Sequence, residues 1–241
     1  MVTGVDSCRR GTGGDVGIMV LNGWAASMHA WDLCKFMDAA GPDGIPPRVY
    51  SYVEQLDGLP DQAFAGGKRF VVVGWSMGGS SALRLACIHP GQIAGLVLIA
   101  ATPRMMEDRE AGWKGMSQLR LDALRKGLEL TRGQGFFGVP EGLPNPYMMD
   151  EPVNLERGLS YLLEADLRAQ LESAFGGGCG FPVHIFHSEH DGIVRSENAA
   201  YLKSVFPDAA VTIVPGGEHA LPIRVPELID MAVGSLISSL Q

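Results

Sequence analysis

The sequence predicts an α/β protein: a mainly parallel central sheet with helices on both faces and a helical insertion. Three observations point there. Short, continuously apolar runs recur along the chain, and unbroken apolarity is what a strand covered on both faces shows. Segments with helical spacing fall between these runs, and that alternation joins parallel strands by crossovers. One long stretch, Pro103 to Ala165, carries no strand signal and is rich in Met, Arg and Glu.

The elements follow in order. Val16 to Leu21 reads as a buried strand ending at Asn22-Gly23, and Arg48 to Val53 as a weaker one. Arg69 to Val73 contains FVVV and is the strongest strand. Gly74 to Gly79 is a sharp turn, and Ser80 to His89 a helix closed by Pro90. Leu96 to Ala101 is the next strand. In the insertion Leu119 to Leu130 has helical spacing, whereas Gly133 to Pro146 reads as a loop or a broken helix. Val183 to His187 and Val211 to Val214 complete the sheet, and Pro226 to Leu240 is a closing helix. Residues 1–102 and 166–241 then form one core, with 103–165 lying as a lid over the C-terminal edge of the sheet, where open α/β sheets bind ligands.

Composition narrows the function. The chain has 241 residues and a formal net charge of −8, which argues against a nucleic-acid binder. No apolar run approaches the roughly 18–20 residues of a membrane span, so no membrane partner is expected. The N-terminus lacks the apolar stretch of a signal peptide, and the cytoplasm is the expected compartment. Cys8, Cys34, Cys87 and Cys179 are widely spaced, form no metal pattern, and are expected as reduced thiols. A monomer is expected.

The chemistry concentrates at strand ends. Gly74-Trp75-Ser76-Met77-Gly78-Gly79 contains G-x-S-x-G between a strand and a helix, the context in which this spacing lifts a serine hydroxyl clear of a sheet. A serine hydroxyl needs a base. Of six histidines, His219 is the candidate, because Pro215 to Ala220 is a loop directly after the last strand. His89 ends a helix, His29 lies near the first loop, His184 and His187 read as satisfied core residues, and His190 is too close to the acid. Asp191, in the turn after the strand ending at His187, is the candidate to orient the base; Glu189 is its neighbouring competitor and Glu218 reads as a surface residue. The backbone N–H groups of Met77 and Trp24 are the candidate oxyanion donors. These groups imply acyl transfer and call for no cofactor and no metal. A serine in the elbow excludes haloalkane-dehalogenase chemistry, which uses a carboxylate nucleophile.

Asn22-Gly23-Trp24, the Trp-Ser elbow, Asp191-Gly192 and the late His219 together resemble the α/β-hydrolase esterases. Within them the chain is similar to the pimeloyl-[acyl-carrier protein] methyl ester esterases of biotin synthesis. The Trp before Ser76, the Gly-Trp loop and Leu162-Leu163-Glu164-Ala165-Asp166-Leu167-Arg168 carry that likeness, which covers most of the chain. Two departures stand out. Asn22 occupies the place of the family's usual histidine and is expected to substitute for it as a hydrogen-bonding side chain. A short Ser51 to Gly66 segment replaces the usual Asp-x-Pro-Gly-x-Gly-x-Ser stretch, so one helix is trimmed.

The resemblance implies a serine carboxylesterase acting on a methyl ester of an acyl chain held on a carrier protein. A general small-ester esterase or thioesterase is the alternative, and a non-catalytic ligand-binding protein is an alternative of another class. Trp24, Trp75, Phe136, Phe137 and Met148 are the candidate substrate-binding residues, with Met105, Met106, Met116 and Met149 nearby in the insertion. Lys114, Arg120, Arg125, Lys126 and Arg132 stand against only Asp122 and Glu129 between Gly112 and Arg132. This local reversal of sign would suit an acidic carrier protein.

Overall fold

The computed structural model describes residues 16–40, 45–131 and 150–240, the side chains of 127–131 excepted. The described residues form six strands, β1 (Val16–Leu21), β2 (Arg48–Tyr50), β3 (Arg69–Trp75), β4 (Ile93–Ile99), β5 (Val183–Ser188) and β6 (Ala210–Val214). They form one sheet in the order β2-β1-β3-β4-β5-β6, with every pairing parallel. β4 is buried along its whole length and β3 at all but its first residue, as their unbroken apolar sequences require.

The period of two along each strand divides the core into two layers. Ile18, Val20, Val71, Val73, Val97 and Ile99 face one way, toward Phe36 of α1 (Leu33–Ala40) and Ile229, Val233 and Leu236 of α10 (Pro226–Ser238). Met19, Leu21, Val72, Leu96 and Leu98 face the other way. There they meet Leu83 of α4 (Met77–Ile88), Leu171 of α7 (Arg168–Phe175) and Leu202 of α8 (Glu197–Val205).

Several boundaries differ from those read in the sequence. The second strand ends at Tyr50 rather than Val53. Ser51 caps a short helix, α2 (Tyr52–Leu56), by accepting the Glu54 N–H while the Glu54 carboxylate takes the Ser51 N–H. This reciprocal cap puts Tyr52 and Val53 into a helix despite their β propensity. A second short helix, α3 (Leu59–Ala63), follows. β3 runs two residues further than expected and α4 starts three residues earlier, so the turn between them shrinks to Ser76 alone.

Between β4 and α7 the chain carries α5 (Gln118–Thr131) and α6 (Pro152–Glu164). The two ends of this excursion are fastened together. The Leu167 N–H donates to the Pro103 carbonyl at 2.9 Å, and Arg104 and Arg168 both bond the Asp166 carboxylate. Arg168 also reaches Asp108 at 2.9 Å and lies over the Trp113 ring. The Arg168 hydrogen bonds, ahead of Arg104, hold the Asp166 carboxyl far below the usual carboxylate range. The Asp166-Leu167-Arg168 segment is thus the fastening itself. A short α9 (Leu221–Arg224) precedes α10. No helix among the described residues is long and apolar enough to cross a membrane.

Candidate active site

Ser76 sits with φ 56° and ψ −115°, a conformation L-residues avoid at a cost of roughly 1–3 kcal/mol. Hydrogen bonds hold it there: its N–H donates to the Ile99 carbonyl at 2.9 Å, and its own carbonyl accepts from Gly79 at 2.9 Å and Ser80 at 3.2 Å. The glycines around it are needed for passage. A Cβ on Gly74 would overlap the Gly78 carbonyl, and one on Gly78 would overlap the carbonyl of Leu21 at the end of β1. Three non-glycine residues have positive φ among the described residues, Ala25, Ser76 and Ala100, and each lies just beyond the C-terminal end of a strand, β1, β3 and β4. Backbone strain is therefore concentrated along one edge of the sheet.

From the far side of that edge come His219 and Asp191. The His219 Nε2 lies 2.8 Å from the Ser76 Oγ, and its Nδ1 lies 2.7 Å from the Asp191 Oδ2. Asp191 is pinned through its other oxygen, Oδ1, which accepts the N–H groups of Ile193 at 2.7 Å and Val194 at 3.0 Å. Burial pushes the Asp191 carboxyl up, but the charge and hydrogen bond of His219 and the two N–H donors outweigh it and leave the group below its usual range. The histidine loop is stitched to the acid loop. His190 N–H donates to the Gly216 carbonyl at 2.8 Å, and the Ser188 hydroxyl donates to the Glu218 carbonyl. The indole of Trp75 donates to the carbonyl of His219 at 3.0 Å, which ties the base to the end of β3.

The loop after β1 completes the edge. Gly23 packs against Ser76, since a Cβ on it would come 3.4 Å from the Ser76 Cβ. Asn22 is fully buried and braces the loop as expected from its side chain: its carbonyl oxygen accepts from the Trp31 indole and its amide nitrogen reaches the Ala26 carbonyl at 3.4 Å. A partner that sequence reasoning missed is Gln55. Its amide donates to the carbonyls of Asn22 at 2.9 Å and Tyr50 at 3.1 Å, so the shortened segment after β2 is also a brace. A glutamine on a short capped helix gives no sequence signal of this role.

A hydroxyl in hydrogen-bond reach of an imidazole that is itself held by a buried carboxylate can be deprotonated as it attacks a carbonyl. The alpha/beta hydrolase family profile matches residues 10–230. The chain belongs to this family. A pimeloyl-[acyl-carrier protein] methyl ester esterase of Nitrosospira multiformis is 29% identical in a match that covers 65% of this chain and 64% of that protein. Its namesake from Nitrosomonas europaea is 25% identical over 90% of this chain and 93% of its own length. Among solved structures, MenH from S. aureus superposes with a TM-score of 0.70 at 15% identity, covering 97% of each chain. An esterase from Exiguobacterium antarcticum gives 0.69 at 17%, over 95% of this chain and 93% of its own. Both share the fold.

In this alpha/beta hydrolase, described residues of the excursion between β4 and α7 line the same cavity as the serine. Ser76 and His219 open onto a cavity lined also by Gly23, Trp24, Trp75, Thr102, Met105, Met116, Leu121, Leu124, Leu159, Leu162, Leu163, Ile193 and Val194. No Asp, Glu, Lys or Arg lines it among the described residues. Of the expected substrate contacts, Trp24 and Trp75 are therefore at the cavity; Phe136, Phe137 and Met148 lie outside the described residues, as do Met149 and Arg132. Met106 packs on the core instead.

The other histidines and acids fall away from the serine. His29, Glu189 and His190 are exposed, and His89 stacks on Phe64. His187 corrects an expectation. It is fully buried, yet neither ring nitrogen has a hydrogen-bond partner among the described residues, and the nearest carboxylate, Asp191, is 4.0 Å away and already bonded to His219. The basic residues of the insertion are largely engaged within the chain. Arg120 donates to the Gly192 carbonyl, Arg125 pairs with Glu156 at 3.3 Å, and Lys114 lies 3.9 Å from Glu197, while Lys126 is exposed. Among the described residues no group of three or more His, Cys, Asp or Glu could hold a metal ion.

Proposed function

We propose that the chain is a serine carboxylic-ester hydrolase in which Ser76 is the nucleophile, His219 the general base and Asp191 the group that orients it. The observation that carries this reading is the unbroken line from Ser76 Oγ through the His219 ring to Asp191, at 2.8 and 2.7 Å. As Oγ attacks the ester carbonyl, its proton passes to Nε2. The resulting oxyanion takes hydrogen bonds from the N–H groups of Met77, at the open start of α4, and Trp24. The C–O bond then breaks, and the alcohol leaves with the proton from His219. Water repeats the sequence on the acyl-enzyme and frees the acid.

The substrate we propose is a methyl ester of an acyl chain, following the names of the Nitrosospira and Nitrosomonas relatives. Residues 103–165 are the lid over it, and the cavity they roof is apolar enough for an aliphatic chain. A specific observation favours the second reading, a small free ester. Three of the basic residues expected to meet a carrier protein are occupied by Gly192, Glu156 and Glu197. The deciding experiment has two parts. A serine-directed phosphonate should label Ser76, and Ser76→Ala should lose hydrolysis while keeping its fold; activity near wild type in that variant sinks the assignment. Methyl and p-nitrophenyl esters of increasing acyl length, free and carrier-bound, then divide the substrate readings. Arg125→Glu with Lys126→Glu should raise KM only for a carrier-bound ester, and equal effects on both ester types remove the carrier protein.

A further inference from the structure

The turn after β1 is strained and held from above. Ala26 N–H closes on the Gly23 carbonyl at 3.1 Å, which places Ala25 at the third position of the turn with φ 55°, a place that favours glycine. Trp24 precedes it, and its side chain does not simply wall the cavity. The indole Nε1 donates at 3.0 Å to the carbonyl of Leu155 in α6, 131 residues away. Leu155, Gly158, Leu159 and Leu162 follow helical spacing along one face of α6, and at Gly158 that face has a notch. A Cβ there would come 2.5 Å from the Trp24 Cδ1, 2.9 Å from its Nε1 and 3.0 Å from Tyr52. The helix is fixed to the core beside this notch: the Tyr52 hydroxyl bonds Asp150, just before α6, and Arg157 pairs with Asp57 at 2.7 Å.

We infer that α6 is a positioning element for the oxyanion loop: its Leu155 carbonyl and Gly158 notch hold the Trp24 indole, and through it the strained turn whose N–H faces the reacting carbonyl. This rests on the reading that the Trp24 N–H is an oxyanion donor. The physical link is short. Two side-chain torsions separate the held ring from the Trp24 backbone, and the next residue, Ala25, already carries a strained φ of 55°. A displacement of about 1 Å in such a group is worth up to about a hundredfold in rate. The lid therefore sets turnover even for esters too short to fill the cavity.

The test uses the full chain with p-nitrophenyl acetate. Gly158→Ala favours helix formation intrinsically, so a loss cannot be laid to a weakened α6. It should lower kcat roughly tenfold or more and leave KM within about twofold. Affinity for a trifluoromethyl ketone, whose adduct carries the oxyanion, should fall by the same factor as kcat/KM. Trp24→Phe removes the bond to Leu155 but keeps a ring, and should also lower kcat. In that background the smaller ring can give way, so Gly158→Ala should cost less than about threefold. An unchanged kcat on the acetate in Gly158→Ala, or fully multiplicative losses in the double variant, overturns the inference. Should Gly158→Ala fail to fold in urea titrations, Trp24→Phe alone decides: an unchanged kcat is the refuting result. Failure of the underlying reading looks different: kcat on the acetate would fall in Gly158→Ala while affinity for the trifluoromethyl ketone stayed at its wild-type value.

Discussion

His187 offers a stability switch that can be worked out in numbers. It lies in β5 with no exposure and with both ring nitrogens lacking a hydrogen-bond partner among the described residues. Burial, only partly offset by the Asp191 charge, holds its pKa down to about 4 from an ordinary 6.5. The folded value is below the unfolded one, so the unfolded chain takes up the proton first as pH falls. The contribution of this group to stability is intact above pH 6.5 and is lost as pH drops toward 4. Between pH 7 and pH 4.5 the loss integrates to about 2 kcal/mol.

His187→Leu removes the titration and both unpartnered nitrogens at similar volume. At pH 7 it should be close to neutral or stabilising, since the atoms removed are buried polar groups with no hydrogen-bond partner among the described residues. By pH 4.5 the variant should lead the wild type by about 2 kcal/mol more than it does at pH 7. Urea unfolding of both proteins at a series of pH values measures this, and titrating groups distant from His187 cancel in the difference. A gap that stays constant with pH would show that His187 is not held neutral. A gap that closes at low pH would mean that the protonated ring pairs with Asp191 and that attraction outweighs burial.

Three further outcomes follow from the geometry. Gly78→Ala drives a Cβ into the Leu21 carbonyl and should cost at least about 2 kcal/mol together with activity, whereas Gly91→Ala, with open space around it, should be tolerated; denaturant midpoints compare the two. If Ser76, His219 and Asp191 act as a unit, adding Asp191→Asn to His219→Ala should lower kcat little beyond His219→Ala alone, and multiplicative losses argue against the pairing. Gln55→Leu leaves the Asn22 and Tyr50 carbonyls without its donor and should cost about 1–3 kcal/mol, with a fall in kcat for short esters; unchanged kcat would detach Gln55 from the site.

Much of this molecule could be read from local pattern. Strand signals placed all six described strands to within three residues at each end, and the signal was cleanest in β3 and β4, where cover on both faces leaves no polar position to blur it. Glycines at 74, 78 and 79 announced the elbow, since backbone packed against backbone tolerates no side chain. Asp191 and His219 were legible as a pair with Ser76 from their places after successive strands of one parallel sheet, which must deliver its C-terminal ends to one edge. Asn22 was legible as a brace from the resemblance, since it stands where the family's usual histidine braces the loop, and the structure finds it buried with partners on both polar atoms.

What only the tertiary structure decided are the matters that depend on which residues meet across long separations. The strand at Val53 gave way to a helix because Ser51 and Glu54 found each other's N–H groups, and the same short helix then aimed Gln55 at a loop 33 residues away. His187 looked like a satisfied core residue, and only the packing around it shows that no hydrogen-bond partner among the described residues reaches its nitrogens. The insertion's cations read as a free basic face, yet Glu156 from its second helix and Glu197 and the Gly192 carbonyl from the core meet them. The bond from Trp24 to Leu155 spans 131 residues and has no trace in local spacing. Periodicity and turn chemistry are properties of neighbours in the chain and so are written in the sequence, whereas the partners of a buried polar group are chosen by the fold as a whole.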